Sequence, residues 1–157
     1  MSTMVIQKRL VVPVLVFGSI LALFLSPSWL QAAGPSEGKV KVVYHVDGKD
    51  PDVAKYAMAL IAKHIEAEGG PDKIDLKLVV HGPALALFEK EKMDPELQKK
   101  FELILEKGAH AEMCQVSMKL YNTPLDKLAK GFEPTAHPVA VKRIADLQQQ
   151  GYIYIKP

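Results

Sequence analysis

Residues 40–80, VKVVYHVDGKDPDVAKYAMALIAKHIEAEGGPDKIDLKLVV, decide the fold of this chain. Val40 to Val46 is dense in β-branched residues, whose stiff side chains suit a pleated strand. Asp47-Gly48 is a turn pair. Asp50-Pro51 then supplies a capping carboxylate followed by a ring whose φ is already near the helical value. Val53, Tyr56, Ala57, Leu60, Ile61, His64 and Ile65 recur at helical spacing until Gly69-Gly70 stops the run. Ile74 to Val80 is a second β-rich segment, closing on His81-Gly82-Pro83. Strand, helix and strand in this order form a βαβ unit, which favours parallel pairing of its strands.

The same alternation continues outward. A short helix is expected from Ala84 to Lys90. Asp94-Pro95 repeats the capping device, and Leu97, Phe101, Ile104 and Leu105 line one helical face before Gly108. Ala109 to Val116 contains a third strand. Thr123-Pro124 is a third helix start, leading through Leu125 and Leu128, and Phe132 to Thr135 is a short fourth strand. A last helix carries Val141, Ile144 and Leu147 up to Gly151, and Tyr152 to Ile155 makes the closing strand. The pattern predicts an α/β fold, a three-layer sandwich with a mostly parallel sheet and helices on both faces.

The chain ahead of this unit is of a different kind. Lys8 and Arg9 precede an apolar run from Leu10 to Leu25. Ser26-Pro27-Ser28 breaks it, and Ala32-Ala33 offers small residues for cleavage. Residues 1–33 therefore read as an export signal, with an uncleaved membrane anchor as the rival reading. The expected destination is the periplasm or the outside of the cell, with no membrane contact beyond the signal segment. Residues 34–39 form a short lead-in, and 40–157 one domain of ordinary size.

Charge narrows the function. The 20 Lys and Arg against 18 Asp and Glu give the chain a net +2, but the excess lies in Lys8 and Arg9. Without the signal the charges balance, so a nucleic-acid role lacks the basic surface it needs. There is no GxGxxG fingerprint, P-loop or GxSxG elbow, and no resident cofactor is expected. Glu66, Glu68, Glu89 and Glu91, with lysines nearby, read as solvated helix faces.

Cys114 is the chain's one cysteine, and exported proteins ordinarily use cysteines in pairs. It falls where the third strand ends. In open parallel sheets ligands gather beyond the carboxyl ends of the strands. The first strand delivers His45 and Asp47 there, the second His81 and Gly82, and the third Cys114. If those strands are neighbours, the residues converge. A thiol so placed is activated by a helix N-terminus or by a nearby imidazolium; the alternative is a cysteine packed as a small hydrophobe. His45, His81 and Cys114 are also of the types that hold zinc or copper. No close pair of CxxC or HxxxH kind appears, however, and no metal set is assigned. His64 reads as a core or rim residue, His110 lies at the wrong end of its strand, and His137 reads as a loop residue.

VKVVYHVDG (40–48), VVHGPALALF (79–88), GAHAEMC (108–114) and IADLQQQGYIYIKP (144–157) together resemble the DsrE/DsrF-like family. The likeness runs in order through nearly all of Val40 to Pro157, and is nearest to exported single-domain members. It implies a five-stranded α/β sandwich that forms homo- or hetero-oligomers. It also implies that Cys114 carries sulfur as a persulfide, with His45, Asp47 and His81 at the matching strand ends. The expected function is thus an exported sulfur carrier, with possible sulfurtransferase activity, whose partners are a sulfur donor and an acceptor. Two other readings stay open: a non-catalytic protein that binds a small ligand or a soft metal, and a structural oligomer with a silent thiol.

Overall fold

The structure, a computed structural model, describes residues 38–157. The expected export signal and most of the lead-in lie outside the described residues. Five strands form one sheet: β1 (Val40–Val46), β2 (Ile74–Val80), β3 (His110–Met113), β4 (Phe132–Pro134) and β5 (Ile153–Ile155). Their order is β4-β3-β2-β1-β5, and every pairing is parallel. The helices are α1 (Pro51–Ala67), α2 (Pro95–Glu106), α3 (Gln115–Leu120) and α4 (Ala140–Gln149), with 3-10 segments at Gly82–Phe88 and Leu125–Lys127. None of these helices is long and apolar enough to cross a membrane.

Strand order explains why both faces are covered. The connections from β1 through β4 all step the same way across the sheet, whereas β4 to β5 steps back past β1. With right-handed crossovers, that reversal moves α4 to the opposite face from α1 and α2. Burial agrees. Val42, Tyr44, Val46, Leu76, Leu78 and Val80 pack with Met58, Ile61 and Ile65 of α1 and with Leu97, Phe101 and Ile104 of α2. Val43 and Val79, of opposite parity along the same strands, pack with Ala140, Ile144 and Leu147 of α4. Strands flanked on both sides must be apolar on both sides, which is why VKVVYHV and IDLKLVV lack a clean alternation.

The helix caps divide according to their chemistry. Asp50 Oδ1 accepts the N–H of Asp52 and Asp94 Oδ1 that of Leu97, both at 2.9 Å, so both Asp-Pro starts are true N-termini. Thr123-Pro124 is not one. The Thr123 hydroxyl turns back to donate to Tyr121 O, and only the three-residue 3-10 turn follows. The short helix expected over Ala84 to Lys90 is likewise 3-10 and begins two residues earlier. Helix α1 closes as Gly69-Gly70 requires. Both glycines have positive φ, +96° and +106°, and Gly70 N–H reaches Ile65 O at 2.8 Å.

Candidate functional site at the carboxyl edge of the sheet

The three strand ends singled out in the sequence are neighbours, since β1, β2 and β3 lie side by side. Val46 pairs with Val80 and Val80 with Met113. The ladder runs one residue further, with His81 N–H donating to Val46 O and Cys114 N–H to Val80 O. Asp47, His81 and Cys114 thus come next in line on three adjacent strands. His45 and His81 follow Val43 and Val79 by two, so alternation places them on the face that Cys114 and α4 share.

His45 is almost fully buried, at 7% exposure. Its ring stacks on His81, with centroids 4.8 Å apart and planes 14° from parallel. His45 Nδ1 is hydrogen-bonded to the Tyr154 hydroxyl at 2.7 Å. Its Nε2 lies 3.8 Å from Asp47 Oδ2, too far for a hydrogen bond. Lys156 Nζ donates to that same carboxylate oxygen at 2.8 Å. Nε2 of His45 and Nε2 of His81 are buried without a hydrogen-bond partner. Burial, reinforced by His81, lowers the His45 pKa to about 4. Burial lowers His81 as well. Both imidazoles are therefore neutral at pH 7 in this arrangement, so neither supplies the imidazolium considered as a thiol activator. Asp47 is held below the usual carboxylate range by the hydrogen bond from Lys156, against the opposing effect of burial.

Cys114 stands apart from that cluster. It is the N-cap residue of α3 and 4% exposed, packed with Val43, Val79, Ala140, Ile144, Leu147 and Tyr152. Burial pushes the thiol up. The Ser117 hydroxyl and the N–H groups of Ser117, Ala140 and Val116 nearby favour the thiolate and outweigh it, so the pKa falls below that of an ordinary thiol, although the Cys114 side chain makes no cap hydrogen bond and Val116 N–H donates to Pro138 O at 3.1 Å. Thus the first turns of α3 and α4 both turn N–H groups toward the sulfur. Ser117 is itself fixed, because Gly82 N–H donates to its oxygen at 2.8 Å. Accepting that bond leaves the serine O–H available as a donor to the sulfur. Gly82 adopts φ +60° to present its N–H in this way, a conformation that strains residues with a side chain. The thiol itself donates to Pro138 O at 3.4 Å.

Sequence reasoning missed three members of this region: Ser117, Tyr154 and Lys156. Ser117 had a faint signal, three residues after the cysteine at a helix start, where a side chain folds back on its cap. The remaining histidines fall where expected. His64 is paired with Tyr44 and Glu68. His110 opens β3, at the amino edge. His137 accepts the N–H of Val139 in the loop before α4. A cavity of about 610 Å³ lies elsewhere, over Met93, Phe101, Leu128 and Phe132, and its lining contains no thiol or imidazole.

An all-parallel five-stranded α/β sandwich with a lone cysteine just beyond its third strand defines the class. The chain belongs to the DsrE/DsrF-like family, whose model matches residues 40–157. No curated protein matches the sequence. Among solved structures, a protein of unknown function, MTH1491 from Methanobacterium thermoautotrophicum, is similar at 17% identity and a TM-score of 0.65, over 76% of this chain and 100% of that one. The ychN protein from E. coli is similar at 14% identity and a TM-score of 0.61, over 75% and 99%. BT1422 from Bacteroides thetaiotaomicron, a conserved protein of unknown function, follows at 13% and 0.55, over 74% and 94%. At these identities the likeness is one of fold.

Proposed function

We propose that this protein is an exported sulfur carrier of the DsrE/DsrF-like family, working in the periplasm or outside the cell, with Cys114 as the carrying residue. One feature supports this above the rest: the surroundings of Cys114 favour its thiolate, holding its pKa below that of an ordinary thiol in spite of burial. A cysteine serving only as packing gains nothing from them, and apolar burial alone raises a thiol pKa. Here the Ser117 hydroxyl and the N–H groups of Ser117, Ala140 and Val116 overcome that rise.

The step is a simple displacement. The Cys114 thiolate attacks the outer sulfur of a donor persulfide, R–S–SH, forming a new S–S bond at Cys114. The S–S bond of the donor breaks and its thiolate, R–S⁻, departs. Cys114 then holds –S–SH, and no oxidant is consumed. An acceptor thiolate repeats the exchange in reverse. In this reading His81 and Gly82, just past the end of β2, orient the donor, while His45 and Asp47 belong to the next strand over. The acceptor is a protein or small thiol, and the carrier works as a homo-oligomer.

The experiment is intact-mass measurement of unreduced protein after exposure to a persulfide donor. Cys114 gains about 32 Da for each sulfur held, reversibly on reduction, and Cys114→Ser gains none. Loading that survives Cys114→Ser overturns the reading. The packed-thiol alternative draws support from the 4% exposure of Cys114. It predicts a thiol that takes no sulfur and resists alkylation until the chain unfolds.

A further inference from the structure

One ring nitrogen each from His45 and His81 and one carboxylate oxygen of Asp47 lie within 4.8 Å of one another. Two of these side chains come from one strand end and the third from its neighbour. Nε2 of both rings is buried with no hydrogen-bond partner, a state that costs stability unless something satisfies it. His45, with 7% exposure, cannot turn that nitrogen to solvent. Its other nitrogen is already engaged by Tyr154 OH at 2.7 Å. Metal-bound histidines are held in the same way, by an outer partner on the second nitrogen that sets the tautomer and the ring angle.

We propose that His45, Asp47 and His81 form a binding site for a borderline divalent cation of the zinc type. Two neutral imidazoles and a carboxylate are a familiar three-ligand set for zinc, with the fourth position left to water or another ligand. Magnesium and calcium prefer all-oxygen sites and fit it poorly. Zinc bonds of 2.0–2.2 Å bring tetrahedral donor atoms to about 3.3 Å apart. The present spread must therefore close, and one ring must turn out of the near-parallel stack, because an ion lies in the plane of each imidazole that holds it; half-buried His81 and Asp47 are the groups able to move. Lys156 holds Asp47 Oδ2 at 2.8 Å, supplying positive charge where the ion would bind. Its side chain is half exposed, so an incoming cation displaces it readily. The site does not include Cys114, and it stands whether or not that residue carries sulfur.

The test is titration of the full chain, stripped with a chelator, with Zn²⁺ and separately with Co²⁺. One equivalent binds per chain, and Cys114→Ser binds equally well. Asp47→Asn and His81→Ala each weaken binding at least tenfold, while Lys156→Ala tightens it. Bound Co²⁺ shows the d–d bands of a nitrogen-and-oxygen site without a sulfur-to-metal charge-transfer band. Far-ultraviolet circular dichroism establishes that each variant is folded; if His81→Ala is not, Asp47→Asn and the wild-type cobalt spectrum decide. Absence of binding overturns the proposal, as does affinity unchanged in Asp47→Asn. A charge-transfer band, or loss of binding in Cys114→Ser, assigns the ion to the thiol and overturns it too. Failure of sulfur loading leaves all of these outcomes unaffected.

Discussion

Burial would leave Cys114 a poor nucleophile, because a thiolate among valines and leucines has lost its water. Ser117 is the side chain that counters this, and Gly82 is what aims it. Removing the hydroxyl takes away the side-chain donor that favours the thiolate. Ser117→Ala should therefore raise the Cys114 pKa. The alkylation rate, which grows as pH rises through the thiol pKa, should shift upward with it. Measuring that rate between pH 6 and 10 checks the expectation, and an unshifted profile refutes the role given to Ser117. The cysteine itself was visible in the sequence as an unpaired residue at a strand end. Ser117 was not, because serine is common in loops and helix starts and acquires meaning only once Gly82 is known to lie against it.

At the scale of elements, α4 holds the sulfur in place from above. Arg143 of α4 meets Glu112 of β3 through two hydrogen bonds, Nε to Oε2 at 2.8 Å and Nη2 to Oε1 at 2.6 Å. Both side chains are largely buried, at 13% and 8% exposure. Losing one partner of a buried pair strands the other charge, at a cost of about 3 kcal/mol. Arg143→Met should lower unfolding stability by about that amount in a urea titration. It should also raise the Cys114 pKa, because the N–H of Ala140 belongs to the first turn of the same helix. A destabilised variant with an unchanged thiol pKa separates packing from activation. The element pattern was readable where local chemistry decides, as at Asp50-Pro51 and Asp94-Pro95. It failed at Thr123-Pro124, where a weaker capping hydroxyl found a carbonyl behind it. It could not pair Arg143 with Glu112, which lie on different elements.

For the molecule as a whole, the buried histidine pair sets a dependence on acidity. The folded-state pKa of His45 is lowered from 6.5 to about 4, so between those values the unfolded chain binds the extra proton. Stability from its neutral burial is complete above pH 6.5 and is lost as the pH falls toward 4. At pH 5 the loss is roughly 2 kcal/mol relative to pH 7.5. Denaturant midpoints measured at the two pH values, with chelator present, test this; equal midpoints would remove the case for a neutral buried His45. Sequence by itself determined the class of this protein. Strand-forming runs, Asp-Pro caps and glycine stops are local signals, and their alternation specifies parallel strands joined by helices. It also carried the family likeness and singled out Cys114, His45, Asp47, His81 and Gly82. Only the tertiary structure decided what those residues do to one another. Sheet order, set by crossover handedness and burial rather than by any local motif, puts β1 between β2 and β5. That placement stacks His81 on His45, brings Tyr154 and Lys156 to the far side, and leaves Cys114 among the N–H groups of α3 and α4. These contacts join residues tens of positions apart, and they exist only once the sheet has closed its order.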